Sequence, residues 1–313
     1  MRYFICLSYD GSPFCGWQIQ PTSPSVQQCL EQALSRLLGG RISVTGAGRT
    51  DTGVHSLGYI AQFEYPDTLP YERRELCYKL NAILPHSVAV YDILPVPDGF
   101  HARFDARRRE YSYFIHRRKD PFVRAWSWQC GYPDLDFEAM NEACRYLLGT
   151  HDFTCFEKSG ADNKTSICTV HEAYWAPYTP SHIKIMGAPS LEASLRPDCE
   201  VPAESLGERS LDASLRPDGE VPADRYLQPS PDALLRPEGE VSAESLGQPY
   251  WYFRISADRF LRNMVRATVG TLIEVGRGKH SPEWVASLLE SGTRSDAGES
   301  VPAHALFLGR VTY

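Results

Sequence analysis

Apolar and polar residues follow strand or helix periods along most of the chain. In the first part, alternating apolar positions predict strands near 2–9, 41–47, 56–64 and 87–94. Helical periodicity predicts helices at 25–38 and 70–82, the first with Ser23 and Ser25 as candidate caps and Gly39 as its stop. The predicted order is therefore β-α-β-β-α-β.

The same order returns in the second part of the chain. Strands are predicted at 109–116, 168–176, 250–257 and 306–312, and helices at 136–148, 259–275 and 281–291, the last one extra. Two such units predict an α+β fold with two ferredoxin-like (RRM-like) halves, residues 1–104 and 105–313. We expect their strands to join into one continuous, mostly antiparallel sheet with helices on one face.

One long segment departs from this pattern. Between residues 188 and 249 the sequences SLRPDCEVPAESLG, SLRPDGEVPADRYL and LLRPEGEVSAESLG recur with a twenty-residue period. The tract contains no Ile, Phe, Trp or Met, so it can bury too little apolar surface to offset the entropy of ordering it. An ordered solenoid is the alternative, but each copy carries proline where a helix or strand needs an amide donor. We expect a flexible acidic insertion at a hairpin tip.

The insertion dominates the charge of the chain. It holds thirteen acids and five arginines, a net charge of −8, whereas the whole chain carries −7, so the remainder carries +1. In that remainder, basic residues cluster at 101–111, 116–124 and 258–266, next to aromatics such as Phe104 and Phe260. Such clusters are often solvated faces, but they also suit phosphate contact with base stacking.

Composition narrows the class of protein. With 42% apolar residues the chain can bury a sizeable core, and no run of eighteen apolar residues predicts a membrane span. Nine cysteines without a C-x-x-C pair favour reduced thiols in a cytoplasmic protein over disulfides or zinc. The histidines lack metal-ligand spacing, and GAGRTD lacks the Lys-Ser/Thr end of a P-loop. We therefore expect no metal.

The segment GAGRTDTGVH, residues 46–55, carries a lone carboxylate, Asp51, between two predicted strands. Its glycines allow backbone conformations closed to other residues and the close approach of a ligand. An ordinary turn, in which Asp51 accepts local backbone amides, is the alternative. Arg49 favours a ligand site, because a guanidinium keeps a nearby carboxylate ionised and can bind phosphate or stack on a base.

Two other elements carry candidate chemistry. The helix predicted at 259–275 places Arg259, Arg262 and Arg266 on one face, where one of them could reach a carboxylate or all could be solvated. Tyr111 and Tyr113 are two residues apart in a strand and point to the same face, although either could be a core residue. These residues by themselves predict an α+β protein with possible RNA binding and one candidate catalytic acid.

Motifs spread in order along the chain resemble those of the TruA family of tRNA pseudouridine synthases. They are YDGSPFCGWQIQP (9–21), SVQQCLEQAL (25–34), GAGRTDTGVHSLGYIAQF (46–63), LNAILP (80–85), FHARFDARRREYSYFI (100–115), DFTCF (152–156), FLRNMVRATVGTLIEVGRG (260–278) and VPAHALFL (301–308). The resemblance implies isomerisation of uridine to pseudouridine at positions 38, 39 and 40 of the tRNA anticodon stem-loop, without metal or organic cofactor. It also implies a homodimer with tRNA across both subunits.

The resemblance also implies roles for individual residues. Asp51 matches the catalytic aspartate, which acts as nucleophile or electrostatic partner while uracil is detached from C1′ and rejoined through C5. Tyr111 matches a tyrosine that stacks on the target base, Arg266 a basic residue that pairs with the aspartate, and Arg49 an arginine that helps to extrude the nucleotide. The candidate phosphate-binding residues of the basic clusters are Arg107, Arg108, Arg259 and Arg262.

Three departures from the family pattern and two competing functions complete the interpretation. Cys168 replaces a common arginine, His86 and Ser87 follow LNAILP, and the insertion is expected to point away from tRNA because its charge would repel phosphates. A catalytically silent RRM-like tRNA-binding protein is the main competitor. A carboxylate-dependent hydrolase is weaker, since it would need a second acid or a metal.

Overall fold

The strands form one long sheet in this computed structural model, which describes residues 1–158, 160, 165–186 and 249–313. The first half contains, in chain order, β1 (Arg2–Tyr9), α1 (Val26–Leu38), β2 (Val44–Gly46), β3 (His55–Glu64), α2 (Arg73–Ile83) and β4 (Val88–Val96). Helix α1 begins and ends as expected: the Ser25 hydroxyl accepts from the amide of Gln28, and Gly39 ends the helix in the left-handed region with φ 73°.

The second half follows with the same alternation and some additions. It contains β5 (Arg108–His116), β6 (Trp128–Gln129), α3 (Phe137–Leu147), β7 (Gly149–Asp152), β8 (Ile167–Pro177), α4 (Ser181–Met186), β9 (Tyr250–Ala257), α5 (Met264–Gly276), α6 (Trp284–Ser291) and β10 (Leu306–Thr312). Contacts divide the chain into one unit of residues 1–178 and 243–313 and another, Thr179–Ser242, described only for residues 179–186, which contain α4.

The sheet order is β4-β1-β3-β10-β5-β9-β8-β7, with β2 beside β3 and β6 beside β5. Neighbouring strands are antiparallel, except that β10 runs parallel to β3 and β6 runs parallel to β5. The two halves meet where Phe307 pairs with His55 and Leu308 with Ser56. The expectation of an α+β fold with one mostly antiparallel sheet is confirmed.

Large aromatic side chains fill the core of the second half. Phe137 of α3 stacks on Trp251 of β9 with ring centroids 3.7 Å apart, and Trp175 of β8 packs against both Phe137 and Phe253. Such ring pairs add about 1 kcal/mol each beyond the burial of their surface. They fix α3 on the sheet that carries the strands of the candidate site.

The segment before α5 differs from the sequence-based expectation. The helix predicted to begin at residue 259 begins at Met264, after Asn263 in the left-handed region with φ 67°. The Asp258 carboxylate accepts from the amides of Thr169 and Arg259, an arrangement that competes with helix formation. Phe260 and Leu261 therefore pack from a loop, residues 258–263, although their spacing fits a helix.

The acidic insertion predicted at 188–249 lies, apart from residue 249, outside the described residues. Among the helices that are described, none is long and apolar enough to cross a membrane.

Candidate active site around Asp51

Asp51 lies in the connection from β2 to β3, and this connection rests on the loop between β1 and α1. The amide of Trp17 donates to the Thr50 carbonyl at 3.2 Å, and the amide of Gly53 donates to the Phe14 carbonyl at 3.4 Å. Gly16 has φ 88°, and a Cβ atom there would lie 2.4 Å from the Thr50 carbonyl oxygen. Glycine is required at this position, because a side chain would push the Asp51 loop away.

Buried aromatic residues stack beside the Asp51 loop and form hydrogen bonds with it. Trp17 stacks on Tyr59 with centroids 4.1 Å apart, and the Tyr59 hydroxyl donates to the Gly48 carbonyl. The Tyr9 hydroxyl bonds to the Thr50 hydroxyl at 2.9 Å. Burial raises the pKa of both tyrosines well above the ordinary value, so both hydroxyls remain neutral. The loop backbone is held in place while the Asp51 side chain remains 29% exposed.

The ion pair of Asp51 is made by Arg262 and not by Arg266. The Arg262 Nε atom lies 3.7 Å from Asp51 Oδ1, whereas Arg266 Nε donates to the Val301 carbonyl at 2.7 Å. The helix start explains the difference, because Arg262 precedes α5 and Arg266 lies in its first turn. The prediction that Arg259, Arg262 and Arg266 share a helix face is therefore wrong.

Tyr111 of β5 faces the same region from the sheet. Its ring is 8% exposed and meets Phe260 edge to face at 5.0 Å. Burial raises the pKa of Tyr111 to about 12, with Arg109 lowering it and the charge of Asp51 raising it. Asp51 therefore lies within electrostatic reach of a tyrosine that stays neutral. Tyr113, by contrast, is a core residue whose hydroxyl donates to the Pro302 carbonyl at 2.9 Å.

Arg109 is a central residue of the site that the sequence reasoning missed. Its guanidinium donates to the carbonyls of Ala47 at 2.8 Å, Arg103 at 2.8 Å and Asp258 at 2.6 Å. Burial lowers the pKa of Arg109, and the bonds to these three carbonyls, with a longer fourth bond of 3.3 Å to the Ala106 carbonyl, offset part of the cost of burying its charge. The strand period places Arg109 on the same face as Tyr111, a signal that could have distinguished it within the run RRRE.

His55 makes a second link between the halves. Its Nδ1 atom lies 3.0 Å from both the amide of Gly11 and the carboxylate of Asp10, and its Nε2 atom lies 2.9 Å from the His304 carbonyl oxygen. The ring also stacks on Phe307 at 4.6 Å. The histidine that ends the segment GAGRTDTGVH thus connects the Asp51 loop to β10.

The predicted phosphate-binding arginines differ in their surroundings. Arg49 and Arg107 are exposed and Arg259 is half-buried. Arg108 lies on the sheet face opposite Tyr111, where its Nη2 atom donates to the Glu172 carboxylate at 3.1 Å. This guanidinium therefore binds a carboxylate in the structure.

Cys168, the departure from the family pattern, is fully buried in β8. Burial raises the pKa of its thiol to about 12, against the opposing charge of Arg259. The position therefore carries no charge, and its thiol packs inside the sheet.

The described residues contain no group of three or more His, Cys, Asp and Glu side chains that could hold a metal ion. The arrangement around Asp51 instead brings together one partly exposed carboxylate, one neutral buried tyrosine and several guanidiniums. This set can stabilise or attack an electron-poor carbon and can bind a polyanion.

Comparisons with known proteins show the family of this chain. A family model described as tRNA pseudouridine synthase matches residues 5–105 and 143–313. A protein of Porphyromonas gingivalis named tRNA pseudouridine synthase A is 38% identical over 312 residues, which cover 100% of this chain and 97% of the relative. The protein of the same name from Bacillus subtilis (strain 168) is 33% identical over 317 residues, covering 100% of this chain and 99% of the relative. The chain therefore belongs to the tRNA pseudouridine synthase family.

Proposed function

We propose that this protein isomerises uridine to pseudouridine in tRNA, at positions 38, 39 and 40 of the anticodon stem-loop. The observation that carries the proposal is the single carboxylate of Asp51, held on a glycine-rich loop beside neutral Tyr111 and within 3.7 Å of a guanidinium. Family membership supports the reaction type. The competing idea of a catalytically silent RNA-binding protein is not supported, because binding alone requires no such acid.

The reaction needs few groups from the protein. The C1′–N1 bond breaks, the uracil turns, a bond forms between C5 and C1′, and the proton lost from C5 is balanced by one gained at N1. Asp51 acts as nucleophile or electrostatic partner during detachment. Tyr111, neutral because burial raises its pKa to about 12, holds the turning base, and its hydroxyl can relay the C5 proton by accepting it while giving its own proton to water.

The arginines have separate roles in this proposal. The pair between Arg262 and Asp51 is longer than a hydrogen bond, and 58% of the Arg262 side chain is exposed, so RNA phosphates compete well for it. Arg266 then holds the freed Asp51 carboxylate in the complex. Arg49 fills the space left by the extruded uridine, which is required because a paired base hides its glycosidic bond.

Sequence-independent contacts with the phosphates complete the RNA-binding proposal. Arg107 and Arg259, with Arg262, are the candidate residues for these contacts. Arg108 is the weakest of the four predicted residues, because it reaches a phosphate only by giving up Glu172.

Three structural and cellular features belong to the same proposal. The strand orders β4-β1-β3-β2 and β10-β5-β9-β8 support two ferredoxin-like halves, since each repeats the same order relative to the chain. The resemblance supports a homodimer with tRNA across both subunits, which light scattering would test. Eight free cysteines among the described residues support a cytoplasmic location.

The decisive experiment measures tritium release from C5-labelled uridine in an anticodon stem-loop. We expect turnover by the natural protein and none by Asp51→Asn, with RNA binding retained, because the substitution removes the charge and keeps the shape. Appreciable release by Asp51→Asn would contradict the role of the carboxylate. Absence of release by the natural protein on any tRNA would contradict the function itself.

A further inference from the structure

A shallow groove lies directly beside the Asp51 loop. It encloses about 150 Å³ and its lining includes Trp17, Gln18, Gly48, Arg49 and Arg103. None of the described residues that line it is acidic, so the two guanidiniums give it a local charge of +2. Such a groove attracts an anion at the edge of the catalytic centre.

Both guanidiniums of the groove are available for an external anion. Arg49 and Arg103 are exposed, and neither forms an ion pair with a carboxylate in the described parts of the chain. Arg108 and Arg254 differ, since both contact Glu172. Arg103, absent from the predicted RNA-binding residues, thus has no carboxylate partner among the described residues, and its guanidinium lies 5.8 Å from the centre of the Phe104 ring.

An exposed aromatic ring adjoins this cation. The Phe104 side chain is 75% exposed, and the His101 ring packs on it with centroids 4.4 Å apart. The turn beneath is fixed, because the amide of Arg103 donates to His101 Nδ1 at 3.0 Å and the amide of His101 donates to the Asp105 carboxylate at 2.6 Å. The Phe104 ring is therefore directed to solvent by an ordered turn, which lowers the entropic cost of stacking a ligand on it.

The position of this turn relative to Asp51 is also fixed. The same Nη2 atom of Arg109 donates to the Ala47 carbonyl and to the Arg103 carbonyl, each at 2.8 Å. Ala47 belongs to the loop that carries Arg49 and Asp51. One half-buried guanidinium therefore fixes the exposed ring, Arg49, Arg103 and the candidate catalytic acid relative to one another.

We propose that Arg49, Arg103 and Phe104 form a subsite for the RNA nucleotide adjacent to the uridine that reacts. The phosphodiester contacts the Arg103 guanidinium, Arg49 lies beside it in the place of the extruded uridine, and the unstacked base of the neighbour packs on Phe104. This inference rests on the proposed function, because RNA is the ligand. Stacking accepts every base, so the subsite holds the strand after extrusion without demanding one sequence.

The test measures binding of a fluorescein-labelled anticodon stem-loop at several KCl concentrations, in an Asp51→Asn background. We expect Phe104→Ala to weaken binding about tenfold with an unchanged salt slope, because a stacking contact is lost. Arg103→Ala should weaken binding and reduce the slope of log K against log salt by about 0.7 to 1, because one phosphate contact is lost. Phe104→Tyr and Arg103→Lys should keep most of the affinity.

Matched controls come from α2. Tyr78 is 75% exposed, as Phe104 is, and Arg74 is also exposed, so Tyr78→Ala and Arg74→Ala remove the same chemistry elsewhere. We expect both controls to bind like the parent. Unchanged affinity and slope in Phe104→Ala and Arg103→Ala would overturn the subsite, as would equal losses in the controls.

A second readout locates the stacked base. With 2-aminopurine next to the target uridine, binding should quench its fluorescence in the parent and in Phe104→Tyr, and not in Phe104→Ala. Equal quenching in all three would overturn the stacking. These measurements need no turnover, so they test the subsite separately from the proposed function. Tritium release without the expected binding losses would overturn the subsite alone, and the binding losses without tritium release would overturn the proposed function alone.

Discussion

Replacing Tyr59 with phenylalanine tests whether the buried hydroxyl beneath the Asp51 loop sets catalytic geometry. The substitution keeps the ring that stacks on Trp17 at 4.1 Å and removes only the donor to the Gly48 carbonyl. A carbonyl left without its partner costs about 1 to 3 kcal/mol in the free energy of unfolding. If the loop shifts to recover a partner, Asp51 moves with it, and a displacement of about 1 Å lowers turnover on the order of 100-fold.

The assays are urea unfolding for stability and tritium release for kcat and KM. We expect Tyr59→Phe to lose stability within the stated range and to lose kcat about 10- to 100-fold, with KM nearly unchanged because the exposed arginines remain in place. Tyr3→Phe is the matched control: Tyr3 is 4% exposed and stacks on Phe63, and within the described residues its hydroxyl bonds only to the Met1 sulfur, at 3.7 Å. The reasoning is refuted if Tyr59→Phe keeps full kcat, or if Tyr3→Phe loses as much.

Three other predictions concern charges around the site. Arg262→Ala should change the free energy of unfolding by only about 0.3 kcal/mol, because its pair with Asp51 is exposed, yet it should lower the salt slope of stem-loop binding by about 1; an unchanged slope would remove Arg262 from the RNA contacts. Because burial raises the pKa of Tyr111 to about 12, the tyrosine stays neutral in alkaline assays. Tritium release by the natural protein should therefore not fall near pH 10 through ionisation of Tyr111; a fall there that is absent in Tyr111→Phe would contradict this prediction. In Arg109→Lys the ammonium cannot reach all three carbonyls, so we expect the free energy of unfolding in urea to fall by about 2 kcal/mol and kcat to fall as well. An unchanged free energy of unfolding would show that the guanidinium bonds are dispensable.

Periodicity predicted eight of the ten described strands and most helices because each buries one face against the sheet, and it missed the short strands β6 and β7. It failed at residues 258–263, where Phe260 and Leu261 have helical spacing but the carboxylate of Asp258 binds backbone amides and Asn263 adopts a left-handed conformation. Competition between side-chain and backbone hydrogen bonds makes this segment a loop, and the spacing of apolar residues does not reveal such competition.

The chemistry of the candidate site was predictable in part. Asp51 and Tyr111 emerged from their motifs, and their proximity is a consequence of the strand order. The functions of the arginines depended on partners that sequence does not reveal: Arg108 meets Glu172, while Arg109, one residue later, reaches three carbonyls on the opposite face. A one-residue step in a strand reverses the face, so neighbouring arginines have unrelated environments.

The place of β10 in the sheet has a consequence for how the protein folds during its synthesis. This strand comes last in chain order but lies in the middle of the sheet, between β3, which follows the Asp51 loop, and β5, which carries Tyr111. A chain emerging from the ribosome can therefore fold much of each half early and still lack a joined centre until residues 306–312 have been added. Activity should appear only once residues 306–312 have been added, and chains that lack them should not modify RNA.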